Sequence, residues 1–526
     1  MARNFRCAAD TIAKTADGLL RGFFLDDLYI FQGIKYADAG RFQAPQPVKP
    51  WDGVKEATNY GYICPVPNEP MPTGELLIPH RFWPSNEHCQ YLNIWTPALD
   101  SEAKKPVIVW LHGGGYSSGS SIEQVAYEGD ALAKFADSVV ITLNHRLNIL
   151  GFLDMSSFDP RYANSVNAGM ADIVEALRWI KRNICAFGGD PENVTLIGQS
   201  GGGGKISTLL QTPAAAGLFQ KAILMSGIFE GGESKPVDHR EFILEAMQLL
   251  NISPDAPEKL EKVPYDVLMR AFNKVALKKL REEQKLINWG PVANDWYLGD
   301  PMQVGFSDFA KTVYTIAGTV IAEFGFGPGA EAPDRAAKLE LLKKTYGDKT
   351  EELVKGFEAA YPGKDILNLL KLDVGARRAT TRYIEEKARV SSVPAYLYLF
   401  ALDFQVDGLR PAWHCSDIPF VFHNADRVPC CNIQGVSDRL EQEVAGAVAA
   451  FAKTGDPNHP AMAEWPAYED GRKATMIFDR QTRAGENYDR DLIEALHALA
   501  PAGDMLGMAV RMLEAAEREE GGEWFY

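Results

Sequence analysis

No stretch of the 526 residues approaches the roughly 18–20 consecutive apolar residues of a membrane-spanning helix, and the opening "MARNFRCAADTIAKTADGLL" carries no apolar core of signal-peptide length. A membrane-spanning role is therefore not expected, and a cytoplasmic location is. Basic clusters are missing as well: 54 Lys and Arg face 70 Asp and Glu, a formal net charge of -16. That balance argues against nucleic acid and anionic membrane as partners. No Ser/Pro/Gly linker, repeat period or low-complexity tract divides the chain, so one catalytic unit spanning 1–526 is expected. Of the seven cysteines, Cys7, Cys64, Cys89, Cys185, Cys415, Cys430 and Cys431, none forms C-x-x-C, which removes the common zinc and redox motifs. The odd number leaves at least one thiol free within the chain. Neighbouring Cys430 and Cys431 show no metal-partner pattern and receive no role.

What the chain does contain is a glycine-dense stretch, "LIGQSGGGGKIS", at 196–207. Two chemistries share this look. A phosphate-binding loop requires G-x-x-x-x-G-K-[ST], but Gln199 stands where the first glycine belongs and Ile206 where the hydroxyl must follow Lys205. A nucleophile elbow requires G-x-S-x-G at a strand-to-helix turn, and Gly198-Gln199-Ser200-Gly201-Gly202 fits that register. The preceding "NVTLIG" reads as a buried strand and the following "KISTLLQ" has helical apolar spacing.

Upstream, "VIVWLHGGGYSSGS" ends a buried strand in His112-Gly113-Gly114-Gly115-Tyr116. Consecutive glycines leave backbone N–H groups unshielded, as an oxyanion hole requires. Strand-like runs such as "DSVVITLNHRL" alternate with helical ones such as "NAGMADIVEALRWIKRNI", the pattern of an α/β sheet with helices on both faces. Two charged regions of helical period, about 236–285 and 333–390, read as helical insertions over the strand ends.

Together with "FQGIKYADAGRFQAPQPVKPWDGVKEAT", "NEHCQYLNIWTP", "NHRLNILGFL" and "FAKTGDPNHP", these segments resemble the type-B carboxylesterases, the esterase and cholinesterase branch of the α/β-hydrolases. The resemblance covers most of the chain. It implies the α/β-hydrolase fold: a large, mostly parallel central sheet flanked by helices, with helical insertions over the active site. It also implies a triad in the order Ser, acid, His. "RPAWHCSDIPFVF" resembles the family's histidine segment and places His414 as base; "VYTIAGTVIAEFGFG" resembles its acid segment and places Glu323. Asp295 is the weaker rival acid, and His423 and His459 are expected to be structural or superficial. Gly114, Gly115 and Gly201 take the oxyanion positions, and Ser226 matches a serine that supports the acid. Cys64 and Cys89 stand where many secreted members carry a disulfide.

The implied reaction is hydrolysis of small to medium uncharged carboxylic esters through a covalent acyl-enzyme, with no metal or organic cofactor. Tyr116, Phe324, Phe326 and Trp413 adjoin these residues in sequence and are expected to line the pocket. An amidase, lactonase or acyltransferase would use the same machinery, and a nucleophile-lacking adhesion member is disfavoured by Ser200. Three departures stand out: Gln199 replaces the family's glutamate, Gly201 its alanine, and Phe324 the glycine after the acid. Losing the glutamate removes a negative charge that favours cationic leaving groups. Lys205, where the family has small or apolar residues, is left between pairing with a buried carboxylate and reaching solvent.

Overall fold

The computed structural model describes residues 4–66, 75–229, 239–283, 285, 287, 289–325 and 331–499. The strands are β1 (Phe5–Arg6), β2 (Phe23–Leu25), β3 (Leu28–Lys35), β4 (Tyr91–Thr96), β5 (Lys105–Leu111), β6 (Val139–Leu143), β7 (Gly189–Gln199), β8 (Lys221–Met225), β9 (Tyr314–Val320), β10 (Ala395–Phe400), β11 (Ala474–Phe478) and β12 (Arg483–Glu486), with the apolar runs in the middle of the sheet and the exposed β1 and β12 at its edges. They form one sheet in the order β1-β2-β3-β4-β6-β5-β7-β8-β9-β10-β11-β12. From β6 to β11 neighbouring strands run parallel. Both edges are antiparallel. Every residue of β6, β8 and β10 is buried, as expected of parallel strands covered on both faces.

Alternation along β5 divides the core into two layers. Val107, Val109 and Leu111 face one layer with Ile173, Leu177 and Ile206; Ile108 and Trp110 face the other with Val444, Val448 and Phe451. Among the helices are α1 (Ala168–Asn183), α2 (Gly201–Leu210), α3 (His239–Leu249), α4 (Tyr265–Glu283), α5 (Arg335–Tyr346), α6 (Thr350–Ala360), α7 (Gly375–Val390) and α8 (Ser437–Thr454). In α1 the buried residues Met170, Ile173, Val174, Leu177 and Ile180 recur at helical spacing and make the stripe that meets the sheet. Helices α3 and α4 pack on each other, whereas α7 lies against β9 and β10 as part of a covering layer.

The end of β6 is fixed by a buried ion pair. Arg146 Nε and Nη2 donate to Asp172 of α1 at 2.8 and 2.7 Å, and the Arg146 backbone N–H adds a third bond at 3.0 Å. Among the described residues no helix is long and apolar enough to cross a membrane.

Candidate active site

The site forms where the parallel strands end. At the end of β7 the chain reverses sharply into α2, and the turn residue Ser200 takes φ 56° and ψ -126°. This is a strained conformation for a residue with a Cβ. The strain is tolerated because the flanking glycines leave room: a Cβ on Gly198 would lie 2.4 Å from the Gly202 carbonyl carbon, and one on Gly202 2.0 Å from the Leu111 oxygen. The Ser200 N–H is anchored on the Met225 carbonyl at 2.8 Å. Ser200 itself is part-exposed.

The loop after β5 lies against this elbow. Gly114 and Gly115 have φ 79° and 61°, so both occupy the left-handed region that glycine accepts without cost. A Cβ on Gly201 would sit 2.2 Å from the Gly115 oxygen, and one on Gly113 would sit 3.4 Å from the Ser200 Cβ. The three glycines expected at an oxyanion hole are thus gathered beside the serine. Tyr116 runs behind them, part-buried, edge-on to Phe152 and 3.4 Å from the Thr208 hydroxyl.

Glu323 and His414 come from the loops after β9 and β10. Ala322 bridges to Trp413 and the His414 N–H donates to the Glu323 carbonyl at 2.9 Å, so the two loops are tied by backbone. Glu323 is fully buried; its Oε1 accepts the Val320 N–H at 3.0 Å, and its Oε2 lies 2.6 Å from His414 Nδ1. Burial alone would lower the His414 pKa, but the hydrogen bond and charge of Glu323, with Asp417 and Glu75 adding to it, leave it raised above 6.5. Asp417 is held up to about 7 by burial and by the Glu323 charge, and Asp373 is raised for the same two reasons. Burial and the nearby Glu323 carboxylate thus both disfavour the charged form of Asp417 and Asp373.

Other expectations fare differently. Asp295 is exposed, far in character from the buried Glu323. His459 packs on Gly446 and bonds the Glu443 carbonyl, and His423 stacks on Phe135. The Ser226 hydroxyl has no hydrogen-bond partner among the described residues; Val320 fills the carboxylate oxygen instead. Trp413, expected in the pocket wall, is wholly buried, its indole N–H donating to the Glu75 carbonyl at 2.7 Å and its ring against Phe404. It is core. Phe324 is 56% exposed, 5.2 Å from the His414 ring and 6.0 Å from Phe229, which sequence reading had not singled out. Phe326 lies outside the described residues.

Two further contacts escaped sequence reading. The Gln199 side-chain amide meets His414 Nε2 at 3.2 Å, and its oxygen accepts the Cys415 thiol at 3.3 Å. Among the described residues Lys205 pairs with no carboxylate, and it does not reach solvent: it is fully buried, with Nζ 2.9 Å from the His112 carbonyl. All seven cysteines are free thiols, Cys64 accepting the Leu147 N–H at 3.3 Å. The carboxylates of Glu241, Glu245 and Glu283 converge as a metal site would, but Lys279 occupies their centre at 3.1, 2.8 and 3.3 Å.

The chain matches the model of the carboxylesterase family over residues 9–494. It is similar to the para-nitrobenzyl esterase of Bacillus subtilis, 31% identical over 490 residues that cover 89% of this chain and 95% of that protein. It is 32% identical over 504 residues to the phenmedipham hydrolase of Pseudarthrobacter oxydans, covering 92% and 98%. Among solved structures, an esterase from Clostridium hathewayi, described as hydrolysing aliphatic aromatic polyesters, superimposes with a TM-score of 0.90 at 46% identity, over 94% and 99% of the two chains.

Proposed function

The chain belongs to the carboxylesterase family and is an ester hydrolase, and on that premise we propose that it works as one catalytic unit through Ser200, His414 and Glu323. The observation that carries this reading is the buried 2.6 Å contact of Glu323 with His414, delivered by adjacent strand ends to the Ser200 elbow. His414 takes the Ser200 proton at Nε2 as Oγ attacks the ester carbonyl. In the resting arrangement Nε2 is met by Gln199, so the transfer exchanges that contact for Ser200. Glu323 keeps the proton of Nδ1 in place and balances the imidazolium.

The backbone N–H groups of Gly114, Gly115 and Gly201 receive the oxyanion, an interaction worth about 3 kcal/mol per donor. His414 then returns its proton to the leaving alcohol, and water repeats the attack on the acyl-serine with the same base.

The substrate class follows from charge and aromatic surface. Gln199 brings no negative charge to the site, and Phe324 with Phe229 offers an aromatic wall beside His414. Uncharged esters of small to medium size with an aromatic group fit both features, as do the para-nitrobenzyl and aromatic-polyester substrates in the names of the relatives. The test is hydrolysis of a short aryl ester by the wild type and Ser200→Ala. Loss of about 10⁴-fold or more in kcat is expected; equal rates overturn the assignment.

A further inference from the structure

Lys205 occupies the fifth position of α2, so with Gly201 it stands one helical turn apart on the face that meets the loop after β5. Its side chain is fully buried, and Nζ donates to the carbonyls of His112 at 2.9 Å and Gly113 at 3.5 Å. The Gly113 carbonyl also accepts His112 Nδ1–H at 3.0 Å. Among the described residues no carboxylate forms an ion pair with Lys205; Glu123 acts on it only through space. Burying an uncompensated ammonium is costly, and here backbone carbonyl dipoles are what offset it.

Those carbonyls are not arbitrary ones. The peptide that carries the Gly113 oxygen carries the Gly114 N–H at its other end, and the peptide that carries the His112 oxygen carries the Gly113 N–H. A cation at the oxygen end polarises an amide and makes its N–H a stronger donor, and it fixes the orientation of the peptide plane. We propose that Lys205 is a positioning residue of the oxyanion hole, holding the His112–Gly114 backbone against the elbow and strengthening the Gly114 N–H toward the developing negative charge. This rests on the serine-hydrolase reading above.

The surroundings are tuned for a charge that responds to the site. Burial lowers the Lys205 pKa to about 7, opposed only in part by Glu123. His112 and His145, stacked at 5.2 Å, are held neutral by burial and by the Lys205 charge. An oxyanion forming at Gly114 favours the charged ammonium, so protonation of Lys205 and binding of a tetrahedral adduct reinforce one another.

The experiment compares wild type, Lys205→Met and Lys205→Gln, each checked for folding by circular dichroism. The readouts are kcat and KM for a short aryl ester and the affinity of a trifluoromethyl ketone, whose serine adduct places an oxyanion in the hole. Both neutral variants should lose about tenfold to a hundredfold in kcat, with KM within about twofold, and should lose ketone affinity in parallel with kcat/KM. In the wild type, ketone affinity should decline above the Lys205 pKa, a limb absent from the variants. A folded variant with kcat within about twofold of wild type overturns the proposal. So does wild-type ketone affinity that stays level up to pH ~9, well above the lowered pKa of Lys205 in the unliganded protein, and this readout stands even where neither variant folds. Activity retained in Ser200→Ala would instead overturn the underlying reading, so the two failures are separable.

Discussion

The side-chain amide nitrogen of Gln199 lies 3.2 Å from Nε2 of His414, on the ring edge opposite Glu323. The imidazole is thus held between a carboxylate on one nitrogen and a neutral amide on the other, while Cys415 fixes the amide by donating to its oxygen. Replacing that amide by a carboxylate places a second negative charge beside the ring. Gln199→Glu should raise the His414 pKa further and move the acid limb of kcat/KM to higher pH, by about 0.5–1 unit. It should also raise the ratio of choline-ester to neutral aryl-ester turnover. An unshifted limb in the pH–rate profile, with an unchanged ratio, contradicts both expectations.

On the proposed triad, the same ring should set the pH dependence of the unmodified protein. In the proposed mechanism His414 acts as base only when neutral, and its pKa is raised above 6.5, so kcat/KM should climb through a pKa higher than that value. Glu323→Gln removes the largest raising contact and leaves burial to lower the pKa. The limb should then move to lower pH while kcat falls about 10³–10⁴-fold. The stability linkage has the opposite sense: a raised folded-state pKa contributes stability that is complete below 6.5 and is lost as pH rises through the folded value. Chemical denaturation of wild type and Glu323→Gln across pH 5–9 checks it.

Gly201→Ala restores the residue that the family carries and puts a methyl 2.2 Å from the Gly115 oxygen and 2.5 Å from its Cα. Contacts that short force the loop away from the elbow. We expect kcat to fall about tenfold or more, for a stability cost of about 1–3 kcal/mol. Steady-state kinetics alongside urea unfolding separates the two effects, and unchanged kcat would show that the loop can withdraw without harm.

Phe324→Ala addresses substrate class. The side chain is more than half exposed, so its removal should change stability by no more than about 0.5 kcal/mol. KM for naphthyl and nitrophenyl esters should rise about fivefold, and that for ethyl acetate should hold steady. An equal rise for both substrates would count against an aromatic wall.

Asp172→Ala tests the scaffold beneath the site. It leaves the Arg146 guanidinium, 2% exposed, without its carboxylate. A loss of about 3–5 kcal/mol is expected, because an uncompensated buried charge remains. Thermal unfolding measures it, and a change below about 1 kcal/mol would imply that water or another group takes over the pairing.

The strand ends were legible in sequence because short motifs mark them. G-x-S-x-G, the His-Gly-Gly-Gly turn and the segments around Glu323 and His414 each sit where a buried apolar run stops, and the structure gathers those residues into one place. Contacts to backbone carbonyls were not legible, since a carbonyl leaves no mark in the residue letters. Lys205 was conspicuous in the sequence, yet its partners are the His112 and Gly113 oxygens. Adjacency in sequence misled for Trp413: the bridge of Trp413 with Ala322 directs successive side chains to opposite sides, so the neighbour of His414 enters the core. Phe324 escapes that fate because it follows Glu323 in an open turn. The outermost antiparallel strands β1, β2 and β12 carried too few residues to show a period.

The tie between Glu323 and His414 spans 91 residues of chain, and that between Gln199 and His414 spans 215. A polypeptide emerging from the ribosome therefore presents its serine elbow long before the imidazole exists to serve it. The early half carries the elbow residues and no His414, and β10 must dock on β9 before the histidine loop has anything to bridge. On the proposed triad, catalysis is consequently a late event in the biography of each molecule, and turnover of an ester during synthesis or refolding should report completion of the far side of the sheet.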